Sequence, residues 1–418
     1  MPPRRRLAVL ALPLGLLVAA CAGSDPPTQS ASESDAATGA TGTTGDDSAT
    51  GTDATTDASA STGDASAGET TTTTGGAPEP EVITVMQDVV FYDGYAGLVD
   101  EPVPEGMIRH SNALYAAPFA DAQLAAIQET LTIGVIIGAL CDNYDRIGSV
   151  HLALVPKGQA TYVPAEVERV ELARFITPFM NMNKSPTTVP FQWSANNVVP
   201  ILRDPELQAA YDFWFELSVF GVPYAAQNEV NGCDGRIDTQ LGTLLLHTDS
   251  AAEPPEFSEL VPVAIGEAFN NYQEGASDAI GATRKTVTFA LPADTEAAQL
   301  VLITSNHGAN QGGEEYIRRE HLVYVDGALV HEYTPGRESC EPFRKYNTQG
   351  NGIYGPSPRS PEEWQSFSNW CPGDIIDTRI IPLGATAGGS HEFVLDVPDA
   401  EFVDGQGNFP FSLYVQAQ

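Results

Sequence analysis

The sequence predicts an all-β chain with a β-sandwich in each half, preceded by a processing signal and a disordered tether. Val, Thr, Phe and Tyr are frequent and Lys is scarce, which suits pleated, half-buried surfaces better than helices. Short β-branched or alternating runs recur from residue 81 onward, separated by Gly-, Pro- and Asp-containing breaks. Leu322–Val325, Asp326-Gly327 and Ala328–Tyr333 together carry a hairpin signature, because Asp-Gly supplies the left-handed turn positions. A chain of 418 residues, 42% of them hydrophobic, is long enough for two domains with real cores plus extensions.

Taken in order, the first 20 residues read as a lipoprotein signal peptide. Arg4-Arg5-Arg6 forms a charged start, and the apolar run from Leu7 to Val18 is short for a membrane span. Small residues before Cys21 mark it as the lipidated position, and Ala22 after it resembles signals sorted to the outer membrane. An ordinary secretory signal cut nearby also places the protein outside the cytoplasm. The expected location is the cell envelope, with a lipid anchor in the outer membrane or at the cell surface. Residues 21–80 are rich in Ser, Thr, Gly, Ala and Asp, and lack Lys, Arg and aromatic residues after Cys21. Such a segment buries too little apolar surface to offset its ordering entropy, so a disordered tether is expected.

The first folded domain is expected over 81–252. Val82–Val85 and Val89–Tyr92 are short strand-like runs, Leu131–Leu140 reads as a buried strand, and Ile147–Val155 follows it. Val167–Phe175, Tyr211–Phe220 and Leu241–His247 supply later strands, while Pro190, Pro200 and Pro205 mark loops. Glu253-Pro254-Pro255-Glu256 reads as the linker to a second domain over 253–418. There Val261–Val263, Thr286–Leu291, Gln299–Thr304, the hairpin, Phe393–Val397 and Phe411–Val415 read as strands.

A formal charge of −35 argues against nucleic acid as a partner, since phosphate recognition needs a basic face. Setting Cys21 aside leaves Cys141, Cys233, Cys340 and Cys371, an even number that suits two disulfides in an exported protein. Three pairings are possible, and the two-domain division picks Cys141–Cys233 and Cys340–Cys371. No close cysteine pair has zinc-site spacing, so no metal is expected. A copper site would need clustered His with a Met, and no His-x-His pair occurs.

The chemistry-bearing stretch is Cys141-Asp142-Asn143-Tyr144-Asp145-Arg146, followed by Arg174-Phe175-Ile176-Thr177-Pro178-Phe179. Asp145 and Arg146 stand where a loop enters a strand, so their side chains can take opposite faces, one towards a cleft and one anchoring it. Downstream lie Trp370-Cys371-Pro372-Gly373 and Thr378-Arg379-Ile380. In this order the motifs resemble the two domains of the peptide-N-glycosidase F family. The resemblance implies two adjacent eight-stranded jelly-roll domains and a cofactor-independent amidase. Its substrates would be N-linked glycans or glycoproteins, cleaved between Asn and N-acetylglucosamine.

It also implies a site. Asp145 matches the family's Asp, Glu216 its first-domain Glu and Glu315 its second-domain Glu, giving three catalytic acids. Two or three carboxylates in one cleft can activate water and protonate a departing nitrogen if their environments push their pKa values apart. Arg146, Tyr144, Tyr316 and His307 would contact substrate, and His321 also matches a family His. Other readings compete at each position. Glu216 on an apolar strand fits an outward, solvated acid, and Glu315 beside Glu314 and Arg318-Arg319 fits a surface ion-pair cluster. The tyrosines fit rim packing, and the histidines fit structural hydrogen bonding. The sequence departs from the family where Trp gives way to Tyr144, Tyr316, Ser218 and a residue near Asn306. An expected Arg is replaced by Ser366 or Phe367, with Arg359 farther away. A non-catalytic, glycan- or protein-binding lipoprotein is therefore the alternative.

Overall fold

Nine strands build the first sandwich: β1 (Glu81–Tyr92), β2 (Ile108–Ser111), β3 (Leu114–Pro118), β4 (Thr130–Ala139), β5 (Ile147–Pro156), β6 (Glu168–Ile176), β7 (Thr188–Ser194), β8 (Tyr211–Val219) and β9 (Asp238–Asp249). Nine more follow: β10 (Glu259–Asn271), β11 (Arg284–Leu291), β12 (Thr295–Thr304), β13 (His321–Val325), β14 (Ala328–Tyr333), β15 (Ile375–Ile376), β16 (Thr378–Thr386), β17 (Gly389–Asp396) and β18 (Asn408–Ala417). This computed structural model describes residues 79–251, 257, 259–271, 277–308, 313–365, 369–404 and 407–418. The expected signal peptide, Cys21, nearly all of the tether, the Glu253–Glu256 linker, Ser366 and Phe367 lie outside the described residues.

The first sandwich packs a sheet of order β1-β9-β4-β7 against one of order β6-β5-β8-β3-β2, all pairs antiparallel. The second packs β10-β18-β12-β16 against β11-β17-β13-β14. Eight strands in the second sandwich agree with the resemblance. The first has nine of its own, because Ile108–Ser111 folds back on β3 as an extra edge strand. The short β15 crosses over to extend the first sandwich's larger sheet at β6.

Local chemistry accounts for these elements and for two departures from expectation. Asp326 and Gly327 both take positive φ (50° and 78°), which matches the right-handed twist of the β13–β14 hairpin. Pro190 sits inside β7 rather than in a loop. β7 is an edge strand, where a missing N–H costs no ladder bond. Val82–Val85 and Val89–Tyr92 are one strand interrupted by bulges, with Asp88 in the left-handed region at φ 47°. β5 is buried on both faces almost throughout, since the outer face of its sheet is covered as well as the inner.

Residues 77–418 form one structural unit, so the two sandwiches share a junction. Val301 and Tyr414 of the second sandwich join the core of the first. Ile147, Ile176 and Ile376 pack with Ile303 and Trp370 beside it. A polar pin crosses the same junction. Arg174, the first residue of the Arg-Phe-Ile-Thr-Pro motif, grips Glu171 through Nε (2.8 Å) and Nη2 (2.7 Å). Its Nη1 donates to Ser305 Oγ and the Pro410 carbonyl of the second sandwich, both at 2.8 Å. Buried charges persist only when paired and hydrogen-bonded in this way.

The disulfides are Cys141–Cys233 and Cys340–Cys371, as the two-domain division selects. The second anchors a satellite core under the long loop before β15, where Phe179 meets Ile353, Tyr354 and Trp364.

Candidate active site

Asp145 stands at the end of the loop between β4 and β5, and three local devices shape that loop. Cys141 ties it to Cys233. The buried Asp142 carboxylate accepts from the Tyr144 backbone N–H (3.0 Å) and the Val222 N–H (2.7 Å), folding the chain into an Asx-type turn. Thr177 Oγ1 accepts from the Arg146 N–H at 2.8 Å, joining the two halves of the sequence motif. Arg146 then lies against Asp142, with Nε–Oδ2 at 2.6 Å and Nη2–Oδ1 at 3.2 Å, and Nη2 also reaches the Val222 carbonyl. Its Nη1 makes no hydrogen bond to a described residue. Asp142 thus anchors the arginine, and Asp145 keeps its carboxylate free of an ion pair among the described residues.

Glu315 comes from the second sandwich, in the segment before β13. The Gly308 N–H donates to Glu315 Oε2 (3.0 Å), and Asn369 holds the Glu315 carbonyl through Nδ2 (2.6 Å). Arg319 does not neutralise it, because that guanidinium pairs with Glu314 through Nε at 2.7 Å and Nη2 at 2.9 Å. Glu315 is buried and, among the described residues, has no cation within ion-pair reach.

The charge of Glu315 reaches Asp145 across the junction. Burial pushes the Asp145 carboxyl up, and the Glu315 charge pushes it further, to about 8, against the opposing pull of Arg146. Glu315 is raised as well, by burial, although the Gly308 N–H and the Tyr316 hydroxyl favour its ionised form. Tyr316 is driven up by burial and by both carboxylates, so it stays a neutral donor beside them. Carboxyl groups whose charges act on each other disfavour simultaneous ionisation, so the two titrate as a pair.

Tyr144 lies at the rim, 41% exposed, with its ring 5.6 Å from Phe179 and the Arg146 guanidinium 5.6 Å from its centroid. Glu216 is a correction. It is fully buried on β8, bonded by Arg169 through Nε (2.9 Å) and Nη2 and by the Tyr162 hydroxyl (2.7 Å), with His151 Nδ1 at 3.4 Å. Its cross-strand partner is His151, four residues past Ile147, which places it about 13 Å along β5 from the loop that carries Asp145. Burial would raise this carboxyl, but His151 and Arg169 hold it down to about 2. It is neither the solvated acid its apolar strand suggests nor a member of the Asp145–Glu315 pair.

His307 is a second correction. It is buried, its Nε2 is 2.8 Å from Ser305 Oγ, and its ring packs on Trp370. Burial, with Arg174 nearby, drives it down to about 3, so it is a neutral ring behind Gly308 rather than a substrate contact. His321 is likewise structural, bonded to the Arg319 carbonyl and near Asn306. Arg359 is engaged with the Ile353 and Gly352 carbonyls and the Trp364 ring, within its own loop. Sequence reasoning missed the anchoring roles of Asp142, Gly308 and Asn369. Arg174 could have been found, since a guanidinium inside an otherwise apolar strand run needs a buried partner.

Residues 82–236 match the family described as peptide-N-glycosidase F, N terminal, and residues 276–416 match peptide-N-glycosidase F, C terminal. The chain belongs to the peptide-N-glycosidase F family. Solved structures agree in fold. PNGF-II is 19% identical, with a TM-score of 0.59, over 81% of this chain and 66% of that one. Recombinant peptide:N-glycanase F is 18% identical over 81% of this chain and 95% of that one, with a TM-score of 0.53. PNGase F, described as a glycosylasparaginase from Flavobacterium meningosepticum, is 16% identical over 82% and 96%, with a TM-score of 0.52. No curated protein sequence matches the chain. Within this peptide-N-glycosidase F-family protein, Asp145 of the first domain's Asp-Arg motif is influenced by the charge of Glu315 in the second.

Proposed function

We propose that this protein is an amidase that hydrolyses the bond between an Asn side chain and N-acetylglucosamine in N-glycoproteins. The observation that carries the reading is the pair Asp145–Glu315, contributed by different sandwiches, neither with an ion-pair partner among the described residues, both raised by burial and Asp145 raised further by the Glu315 charge. The two carboxyls disfavour simultaneous ionisation, which allows one to be ionised while the other keeps a proton. In the form of the pair that has Asp145 ionised and Glu315 protonated, Asp145 takes the proton of a water whose oxygen bonds to the amide carbon. The carbon–nitrogen bond breaks, and the departing nitrogen takes the proton held by the pair. The products are an Asp-containing peptide and a glycosylamine. Arg146, whose Nη1 makes no hydrogen bond among the described residues, offsets the negative charge that develops on the amide oxygen. Glu315 and the Tyr316 hydroxyl hold the first sugar, and Tyr144 flanks it at the rim. The work would be done outside the cytoplasm, from a lipid anchor at Cys21.

One observation favours the alternative of a glycan-binding protein without catalysis. The third expected acid, Glu216, is engaged with Arg169 away from the pair. Incubation with a denatured N-glycoprotein separates the readings. Glycan loss with conversion of Asn to Asp supports the amidase; intact glycoprotein that nonetheless binds supports the alternative.

A further inference from the structure

In the loop that carries Asp145, one polar side chain takes no part in the amidase chemistry and is nevertheless fully buried. Asn143 stands one residue before the rim residue Tyr144 and two before Asp145. Its Nδ2 donates to Glu229 Oε2 at 2.7 Å, and its Oδ1 has no hydrogen-bond partner among the described residues. The polar anchoring of this side chain is therefore its bond to Glu229. A carboxylate acceptor makes that bond stronger than a neutral one, and its loss leaves a buried donor unsatisfied.

Glu229 is itself held in place. It closes a single helical turn, Ala226–Glu229, after which the Val230 N–H donates to the Ala226 carbonyl at 2.9 Å. Ala226 and Val230 pack with the Cys141–Cys233 bridge in one small apolar cluster. The same Glu229 Oε2 also accepts from Gln349 Nε2, at 3.4 Å, out of the long loop of the second sandwich. Gln349 is tied down in turn, its N–H donating to the Phe179 carbonyl and its Oε1 accepting from Asn181 Nδ2, both at 2.9 Å. The Phe179 ring lies against that of Tyr144. A helical turn, the Asp145 loop and a loop of the second sandwich thus converge on one carboxylate.

Chain connectivity carries the effect to the acid. Asp145 lies two residues beyond Asn143, so a shift of the buried amide displaces the acid as well. The Asp145 carboxyl is held up by burial and by the Glu315 charge, against Arg146, with Asp142 adding to the rise. A half-buried acid that moves towards water is relieved of burial and of its neighbour's charge together. Glu229 is exposed, so its carboxylate stays solvated while it holds the amide beneath it.

We propose that Asn143 and Glu229 are positioning residues for Asp145, their hydrogen bond fixing the chain two residues before the acid so that its carboxyl stays at the junction of the sandwiches. The consequence for turnover rests on the amidase reading; the placement of the carboxyl does not. The test follows the Asp145 carboxyl by NMR of the whole chain labelled in its Asp carboxyl carbons, assigned with Asp145→Asn. Cleavage of a short N-glycopeptide is measured alongside. In the unaltered chain the carboxyl should titrate at about 8. Glu229→Ala is expected to lower that midpoint by at least about one pH unit. It should also lower kcat by about tenfold or more with KM within about twofold, because the acid is displaced and the substrate contacts are not. Glu229→Gln keeps an acceptor for Asn143 without the charge and should restore both values. Asn143→Ala removes the amide, leaves Glu229 in water, and should reproduce the Glu229→Ala values, so either variant decides if the other does not fold. Equal lowering in Glu229→Ala and Glu229→Gln assigns the effect to charge alone and overturns the proposal. A midpoint unmoved in a folded alanine variant, or in the ordinary carboxylate range in the unaltered chain, also overturns it. Loss of the fold in both alanine variants makes the bond purely structural and does the same. The expected midpoint changes without any glycopeptide cleavage uphold the positioning and overturn the amidase reading alone.

Discussion

Glu216 is fully buried on β8 and Asp145 is half-buried at the entrance to β5, and their carboxyls are driven in opposite directions. Glu216 accepts from Arg169 and Tyr162 and stands beside His151, and its carboxyl is pulled down to about 2. Asp145 faces Glu315, while the nearest guanidinium is occupied by Asp142, and its carboxyl is pushed up to about 8. Burial acts alike on both. What separates a structural acid from one able to move protons is whether a cation is placed on it.

The sharpest way to break this contrast is Asp145→Asn. Hydrolysis of a denatured N-glycoprotein should fall by about 10³-fold or more, while the fold is retained. The same variant tests the electrostatics. Because the folded carboxyl is raised, the native state keeps a proton that the unfolded chain releases from about pH 4 upward. Stability should therefore fall as pH rises from the ordinary carboxylate range towards 8, and Asp145→Asn should flatten that slope in thermal melts.

Glu216→Gln should give the mirror image. It leaves Arg169 largely buried without its carboxylate, at a cost of about 3–5 kcal/mol in unfolding free energy measured by urea titration. Turnover per folded molecule should stay within about twofold, whereas a catalytic Glu216 would lose far more. Its depressed carboxyl contributes stability above the usual Glu range that is lost as pH falls towards 2, the opposite sign to Asp145.

Removing the Cys141–Cys233 bridge by paired Ala substitution should cost about 2–4 kcal/mol of stability. It should also raise KM by loosening the 223–233 loop, read by steady-state kinetics. Tyr144→Ala is expected to have the smallest effect, a rise in KM of about three- to tenfold, a loss of roughly 1 kcal/mol of binding, with kcat little changed.

Much of this was legible in the chain. The β-hairpin at Asp326-Gly327 follows from two residues that accept positive φ, and the buried strand before Cys141 follows from its apolar run. The pairing of Asp145 with Glu315 was reached only through family resemblance, since nothing local relates residues in different sandwiches. Glu216 was misplaced because alternation shows which face of a strand a side chain takes, not whether Arg169 waits there. Pro190 was misread for a similar reason, as only the sheet order makes β7 an edge strand.

By itself the sequence determined the two sandwiches, their disulfides and the Asp145-Arg146 motif, because strand periodicity, turn chemistry and cysteine count act over short or countable intervals. The tertiary structure alone decided which carboxylates stay without a cation. Desolvation and charge act through space, and Arg169 reaches Glu216, and Arg174 reaches Ser305 and the Pro410 carbonyl, only once the strands are assembled.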